Sequence, residues 1–364
     1  MEMGNVLFRD RVERAPFQPR WLDRYYLCEE LATGGMATVY GALYVGPGGF
    51  QKPCAVKVMH PHLTHDEGFV QMFEDEARVA ACIDHPYVCR VTDYGVLGGE
   101  TFLVMELLDG QNFWTIYQRL QARSDLKQES GFPMIMARLG LDAAEGLHAA
   151  HEARGLDGSL LQVVHRDISL SNLFLTRSGT VRVVDFGVVK SVARLHHTAT
   201  GCFKGKLAYL APEYVRSGQL DRRSDVFALG VVLREMLSGR RLHTGQNEVE
   251  VFRSVMSSKS TPLRELCPSL PSGLSEVVDR AMAYDPEERY PSARALADAL
   301  GQFLVSCGRI VMPGEVSDWF DRLSPPGHSP VRQLLAQGSQ RALLLSSAMA
   351  RGSFRASPPV AGAR

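Results

Sequence analysis

The sequence has no excess of charge of either sign, because its 364 residues include 40 basic and 40 acidic side chains. A chain with this balance has no overall field that would draw it to nucleic acid or to an anionic membrane. Its partners have to be recognised at local sites. We therefore expect no nucleic-acid partner.

Long apolar runs and paired cysteines are also missing. No stretch approaches the roughly 18 apolar residues that a membrane span needs, and the N-terminal MEMGNVLFRDRVERAPFQPR lacks the apolar segment of a signal peptide. The seven cysteines form no C-x-x-C pattern, which argues against a zinc site and against a disulfide framework. These absences predict a cytoplasmic protein without a membrane span.

The first part of the chain contains strand-like runs. YYLCEEL, TVYGALYV and PCAVKVM lie within residues 25–59 and are separated by the glycine-rich TGGM and GPGGF. A helical pattern follows from Asp66 to Ile83, and CRVTDYGV and TFLVMEL resemble two more strands. The pattern predicts a small five-stranded antiparallel sheet with one helix.

The second part of the chain is mainly helical in pattern. Residues 132–154 have the apolar periodicity of a long buried helix, and VFALGVVLREMLSG and LSEVVDRAMAY have the length and spacing of packed helices. The predicted fold class is α+β and bilobal, with a sheet lobe over about 21–108 and a helical lobe over about 109–305. Residues 1–20 and 306–364 are predicted to be extensions.

The composition changes beyond about Leu323. The remaining residues include seven serines, five prolines and five arginines but no acidic side chain, which predicts a flexible basic tail. Within it, VRQLLAQGSQRALLLSSAMA is apolar enough to form a docking helix.

The most informative stretch is HRDISLSNLFLTRSGTVRVVDFG, residues 165–187. It follows LATGGMATVYGA and CAVKVM and precedes APE, and such an ordered series does not arise by chance. Over residues 21–305 the chain resembles the eukaryotic-like, Hanks-type serine/threonine protein kinases of bacteria. The resemblance implies transfer of the γ-phosphoryl group of ATP to Ser/Thr hydroxyls of protein substrates, with Mg²⁺ as cofactor and with autophosphorylation.

The resemblance implies a role for each residue of these motifs. Asp167 would accept the proton of the substrate hydroxyl or orient it, and Asn172 and Asp185 would bind Mg²⁺ through hard oxygen ligands. Lys57 would hold the α and β phosphates, and Glu76 would fix this lysine by an ion pair.

The resemblance also implies the nucleotide contacts. LATGGMATVYGA matches the loop that covers the phosphates, although alanine replaces its first and third glycines, at positions 32 and 37. Met105 resembles the gatekeeper of the adenine pocket, but an ordinary hairpin and hydrophobic strand packing stay open as alternatives for the loop and for Met105. The implied contacts are Ala32, Thr33, Gly34, Gly35, Val39, Ala55, Lys57, Met105, Glu106, Leu108 and Phe174.

Two positions depart from the family pattern. Ser169 stands where most Ser/Thr kinases have a lysine, and Lys206, in GKLAYLAPE, stands where they typically have a threonine. We hypothesise that Lys206 reaches toward Asp167 and returns the missing charge for catalysis, with Ser169 as its hydrogen-bonding neighbour. A solvent-facing Lys206 is the alternative.

Three further residues have structural roles in the resemblance. Glu213 of the APE motif is expected to form a buried ion pair with Arg289 of YDPEERYPSA. Asp225, in DRRSDVFALG, is expected to cap the backbone of the catalytic loop.

Phosphorylation sites are implied in the same way. Because Arg166 precedes Asp167, the chain resembles kinases in which a phosphate on the activation segment neutralises a basic pocket. Thr198 and Thr200 are the candidates. Ser353 and Ser357 each follow an arginine by two residues, which suggests the tail as an internal substrate.

Two alternatives to an active protein kinase stay open. A pseudokinase scaffold is favoured by Ala32, Ala37 and Ser169. It is opposed by the retention of Lys57, Glu76, Asp167, Asn172 and Asp185. A small-molecule kinase of related fold is opposed by the complete APE segment. For an active kinase, a homodimer that phosphorylates itself in trans is a further partner.

Overall fold

The computed structural model describes residues 17–186, 207–257 and 260–326. They divide into two compact units. One contains a β-sheet and comprises residues 17–64 and 93–108, and the other is mainly helical and comprises residues 65–92 and the described residues from 109 to 326. The prediction of a sheet lobe and a larger helical lobe is confirmed.

The sheet has six strands, one more than predicted. They are β1 (Arg20–Leu22), β2 (Tyr25–Thr33), β3 (Ala37–Val45), β4 (Gln51–Met59), β5 (Val91–Leu97) and β6 (Glu100–Met105). Their order in space is β1-β2-β3-β4-β6-β5. The additional strand, β1, has only three residues, which is too short for an alternating pattern to be visible in the sequence.

One face of the sheet carries the core of its unit. Cys54, Val56 and Val58 of β4 pack there with Phe102 and Val104 of β6. Because side chains alternate along a strand, the intervening residues of β4 point to the opposite face.

The helical unit contains one long buried helix at its centre and others around it. Its described helices are α1 (Glu67–Ala81), α2 (Phe113–Ala122), α3 (Ser124–Gln128), α4 (Phe132–His151), α5 (Pro212–Ser217), α6 (Arg222–Ser238), α7 (Glu248–Met256), α8 (Leu263–Leu266), α9 (Ser272–Ala281), α10 (Ala293–Ser306) and α11 (Pro313–Leu323). None of these described helices combines the length and the apolar character of a membrane span.

Local sequence signals explain where several helices begin and end. Asp66 caps α1 by accepting hydrogen bonds from the backbone N–H groups of Gly68 and Phe69. Asp221 caps α6 in the same way, so α6 begins four residues before the predicted helix. Gly239 ends α6 with a φ of 68°, which glycine adopts without strain.

Helix α1, which the prediction grouped with the sheet, belongs to the helical unit. Ala80 near its end packs into the large core of that unit, together with Ile83 and Val88 just after the helix. The end of α1 and the residues after it therefore pack in the core of the helical unit.

Two strands of a small second sheet lie between the two predicted metal ligands. This sheet consists of β7 (Gly110–Asn112), β8 (Leu173–Thr176) and β9 (Val181–Val183), in that order. The hairpin of β8 and β9 begins directly after Asn172 and ends two residues before Asp185. Its open end therefore holds both predicted metal ligands.

Helix α11 lies beyond the predicted boundary of the kinase domain at residue 305. Val316, Trp319, Phe320 and Leu323 on one side of it are buried in the same core as α4 and α6. This packing makes residues 313–323 part of the helical unit. Most of the predicted flexible tail lies outside the described residues.

Candidate catalytic site

The predicted catalytic loop, residues 165–172, is held by a buried aspartate of α6. Asp225 accepts hydrogen bonds from the backbone N–H groups of His165 (2.7 Å) and Arg166 (2.9 Å). These bonds hold Arg166 at a φ of 65°, which residues other than glycine rarely adopt. The prediction that Asp225 caps this loop is confirmed.

The environment of Asp225 keeps its carboxyl group ionised. Burial disfavours the charged form, but hydrogen bonds from the His151 side chain and the His165 backbone outweigh burial, and the pKa of Asp225 is lowered. A charged acceptor forms stronger hydrogen bonds than a neutral one. The loop therefore keeps these strong bonds until the pH falls below the lowered pKa.

A side-chain hydrogen bond joins two of the predicted catalytic residues. Asn172 donates from Nδ2 to the backbone oxygen of Asp167 (2.8 Å) and to its Oδ2 (3.0 Å). The backbone oxygen of Asn172 accepts from the N–H of Val184 (3.0 Å), which directly precedes Asp185. Asp167 and Asn172 are buried, whereas Asp185 is exposed, with a φ of 57°. The structure thus brings the predicted base and both predicted metal ligands to one place.

His165 fastens the catalytic loop to the end of β9. Its Nε2 donates to the backbone oxygen of Val184 (3.2 Å), and its ring lies 4.7 Å from the ring of buried Phe186, measured between centroids. Asp185 lies between Val184 and Phe186, and His165 contacts both of these neighbours.

The donor atoms at this place suit a hard divalent cation. Since Nδ2 of Asn172 is used toward Asp167, the amide oxygen is the atom that Asn172 can offer, beside the carboxylate of Asp185. No group of three or more His, Cys, Asp and Glu side chains within the described ranges could hold a metal by itself. Mg²⁺ fits such an incomplete oxygen site because it keeps waters and accepts phosphate oxygens as ligands.

Four of the predicted nucleotide residues share one face of the larger sheet. Val39 lies directly opposite Lys57, and Ala55 lies directly opposite Met105. Ala55 and Lys57 are two residues apart on β4, so all four side chains point to the face opposite the core containing Val56. None of these four residues belongs to the core cluster that contains Val56.

The loop between β2 and β3 has glycines that the fold itself does not require. Neither Gly34 nor Gly35 has a positive φ. An added Cβ at Gly35 would meet nothing within 4 Å, and at Gly34 the nearest atom would be the Ala37 oxygen at 3.7 Å. The missing side chains therefore leave open space beside the backbone of this loop, in which a ligand could lie.

The structure locates the residues of several other predicted contacts. Glu76 is half-buried on α1 in the helical unit, whereas Lys57 belongs to the sheet unit, so their ion pair stays a prediction. Phe174 is half-buried on β8, and Glu106 and Leu108 follow β6. Their adenine contacts also stay predictions.

Several predictions lie outside the described residues, namely those on Lys206, on Thr198 and Thr200, and on the tail serines. Ser169 is described and buried, with 3% of its surface exposed. Its hydroxyl finds no hydrogen-bond partner among the residues that the structure describes. A buried hydroxyl in this state costs stability unless a partner is supplied.

Residues 25–300 match the family model described as the protein kinase domain. This chain belongs to the protein kinase family. It is 45% identical over 280 residues to the tyrosine-protein kinase MasK of Myxococcus xanthus, a match covering 77% of this chain and 43% of MasK. It thus spans less than half of that relative.

Mycobacterial kinases are similar over most of this protein kinase chain. The serine/threonine-protein kinase PknL of Mycobacterium tuberculosis is 33% identical over 348 residues, covering 89% of this chain and 81% of PknL. The crystal structure of the Mycobacterium tuberculosis PknI kinase domain has a TM-score of 0.56 and 25% identity, covering 79% of this chain and 99% of that domain.

The predicted ion pair of the kinase helical lobe is confirmed. Arg289 donates from Nη1 and Nη2 to the two carboxylate oxygens of Glu213, at 2.8 and 2.7 Å. The guanidinium also donates to the backbone oxygens of Ala283 (2.6 Å) and Tyr284 (3.1 Å). This pair fastens the end of the APE motif to the loop before α10.

The sequence interpretation missed a second buried network. Tyr209, two residues before the APE motif, donates to Glu235 Oε2 (2.9 Å), and Arg241 donates to Glu235 Oε1 (3.0 Å). Arg241 also lies over the rings of Tyr209 and Trp114. The backbone N–H of Trp114 donates to the backbone oxygen of Leu170 in the predicted catalytic loop (2.8 Å). The feature in the sequence that could have indicated this network is the tyrosine of AYLAPE, Tyr209.

Proposed function

We propose that this chain is an ATP- and Mg²⁺-dependent protein kinase that transfers the γ-phosphoryl group to hydroxyl groups of proteins. The observation that carries the proposal is the hydrogen bond from Asn172 to Asp167. Asp185 follows Val184, whose backbone N–H donates to the backbone oxygen of Asn172. In phosphoryl transfer, positioning and charge neutralisation account for most of the catalysis. Asp167 orients the hydroxyl and accepts its proton, and Asn172 and Asp185 hold the metal.

The nucleotide role rests on the sheet unit. The face shared by Val39, Ala55, Lys57 and Met105 receives adenine and the first phosphates, with Lys57 supplying the positive charge. The room beside Gly34 allows backbone N–H groups to approach phosphate oxygens. The ion pair of Lys57 with Glu76, the hinge contacts of Glu106 and Leu108, and the adenine contact of Phe174 belong to the same proposal.

We further propose specificity for Ser and Thr hydroxyls, with autophosphorylation, a role in signalling and a cytoplasmic location. Two relatives at 31–33% identity are named serine/threonine-protein kinases, whereas the relative at 45% identity is named a tyrosine-protein kinase. The names of the relatives therefore do not agree on the hydroxyl group that accepts the phosphate, and the experiment below determines it. A homodimer formed for phosphorylation in trans is part of this proposal.

The test is incubation with labelled ATP, Mg²⁺ and a generic protein substrate, beside the Asp185→Ala variant. We expect label on serine and threonine in acid hydrolysates of the substrate and of the chain itself, and none with the variant. Label on tyrosine alone would correct the specificity. No transfer above the Asp185→Ala level would favour a pseudokinase scaffold.

We propose in addition that Lys206 partners the buried hydroxyl of Ser169 and supplies charge beside Asp167. Lys206→Ala and Lys206→Thr are expected to lower kcat by about tenfold or more, because a charge positioned at the transferring phosphate is lost. The double variant Ser169→Lys with Lys206→Thr, which has the common family residues, is expected to recover much of the loss. Equal rates for the parent and both single variants would show that Lys206 faces solvent.

A further inference from the structure

The turn of the β8–β9 hairpin is packed against α11. Gly179 in this turn has a φ of 78°, and a Cβ added there would collide with the backbone oxygen of Pro313 at the start of α11. Ser317, one turn along α11, donates to the backbone oxygen of Arg177 (2.6 Å). The turn is thus fitted to the first half of the helix.

The side chain of Arg177 extends the contact to the other end of α11. Its Nη1 donates to Asp321 Oδ1 (2.7 Å) and to the backbone oxygen of Ser324 (2.9 Å). Its guanidinium carbon lies 5.3 Å from the centre of the Phe320 ring, and only 10% of the side chain is exposed. The backbone N–H of Arg177 donates to the backbone oxygen of Asp109 beside β7 (2.8 Å), and the Asp109 carboxylate lies 3.6 Å from Arg177 Nε.

The hairpin transmits position from this turn to the metal ligands. Its strands have four and three residues, so the turn lies only about 13 Å from the open end, at the usual rise per residue. At that end the N–H of Val184 donates to the Asn172 oxygen, and the N–H of Val183 donates to the Tyr87 oxygen. A shift of the turn would therefore change where Asn172 and Asp185 lie.

We propose that α11 positions the metal-binding residues through Arg177, with Asp321 as the anchor of this arginine. Arg177 is a positioning residue, because it acts on the metal ligands through the hairpin. The buried face of α11 explains its contribution to stability, but it does not explain why the polar contacts of Ser317, Asp321 and Ser324 converge on one residue of the hairpin. The inference rests on the proposed phosphoryl transfer and extends it to residues beyond 305.

The test compares variants of two ion pairs on the same helix turn. Asp321→Asn keeps the size of the side chain and removes the nearer of the two carboxylates that pair with Arg177, at 2.7 Å from Nη1, while Asp109 at 3.6 Å from Nε remains. Arg322→Gln removes the neighbouring ion pair with Glu129, which does not touch the hairpin, and it serves as the matched control. Arg177→Lys keeps the charge and loses the forked geometry.

Two readouts separate positioning from general stability. At saturating ATP, Asp321→Asn and Arg177→Lys are expected to raise the Mg²⁺ concentration for half-maximal transfer roughly three- to tenfold, as for the loss of a partly buried ion pair. The KM for protein substrate and the melting temperature should match those of Arg322→Gln. In the chain without metal and nucleotide, amide hydrogen exchange over residues 173–184 should be faster in Asp321→Asn than in the control.

An active parent whose Mg²⁺ requirement is unchanged by Asp321→Asn and Arg177→Lys would overturn the inference, and so would equal hydrogen exchange over the hairpin in Asp321→Asn and Arg322→Gln. An inactive parent would reject the proposed function, and the exchange comparison would still decide whether α11 holds the hairpin.

Discussion

The Asp167→Asn variant is expected to transfer phosphate at least about a hundredfold more slowly than the parent, as for loss of a positioned general base. Asparagine has nearly the same shape and keeps an oxygen for the hydrogen bond from Asn172, so the loop should keep its conformation. It cannot accept the proton of the substrate hydroxyl. The loss should therefore fall on kcat, with the KM for ATP close to that of the parent.

Steady-state kinetics with the KM for ATP and for substrate measured separately checks this expectation. Asp157→Asn is the matched control, because Asp157 is an exposed aspartate that only caps Ser159 in the loop before the catalytic segment. Its kinetic constants should equal those of the parent. If Asp167→Asn were as active as Asp157→Asn, Asp167 would have no part in proton transfer.

Local spacing explains why the catalytic loop could be predicted from the sequence. Asp167 and Asn172 are five residues apart in one loop, so their hydrogen bond depends on local backbone geometry. The hairpin between Asn172 and Asp185 is short, and its two strands pair directly with each other, so it too depends on residues that are close in the sequence. On β4, the alternation of strand side chains likewise predicts that Ala55 and Lys57 share a face.

Contacts between distant parts of the chain could not be predicted in this way. Arg177 and Asp321 are 144 residues apart, and no local pattern indicates that they meet. The signal for α11 was present, because Val316, Trp319, Phe320 and Leu323 recur at helical spacing. The predicted boundary at residue 305 followed the extent of the family resemblance, so it did not include α11.

The pair of Glu213 and Arg289 is confirmed in position, and its energetic effect can be measured. Arg289→Met is expected to lower the free energy of unfolding by about 3–5 kcal/mol, because it leaves the largely buried carboxylate of Glu213 without its partner. Only the hydroxyl of Ser224 (3.0 Å) would remain among the side-chain donors recorded for that carboxylate. Urea unfolding followed by circular dichroism measures the change.

A double variant separates the loss of the pair from the cost of the unpaired charge. Adding Glu213→Gln to Arg289→Met removes the charge that the single variant leaves buried, so the double variant is expected to be more stable than Arg289→Met alone. Arg294→Met is the control, because its pair with Glu145 is half exposed and should contribute at most about 1 kcal/mol. If Arg289→Met destabilised the chain no more than Arg294→Met, the ion pair would not be what anchors the APE motif.

A double variant no more stable than Arg289→Met would instead assign the loss of stability to the backbone contacts of Arg289 with Ala283 and Tyr284.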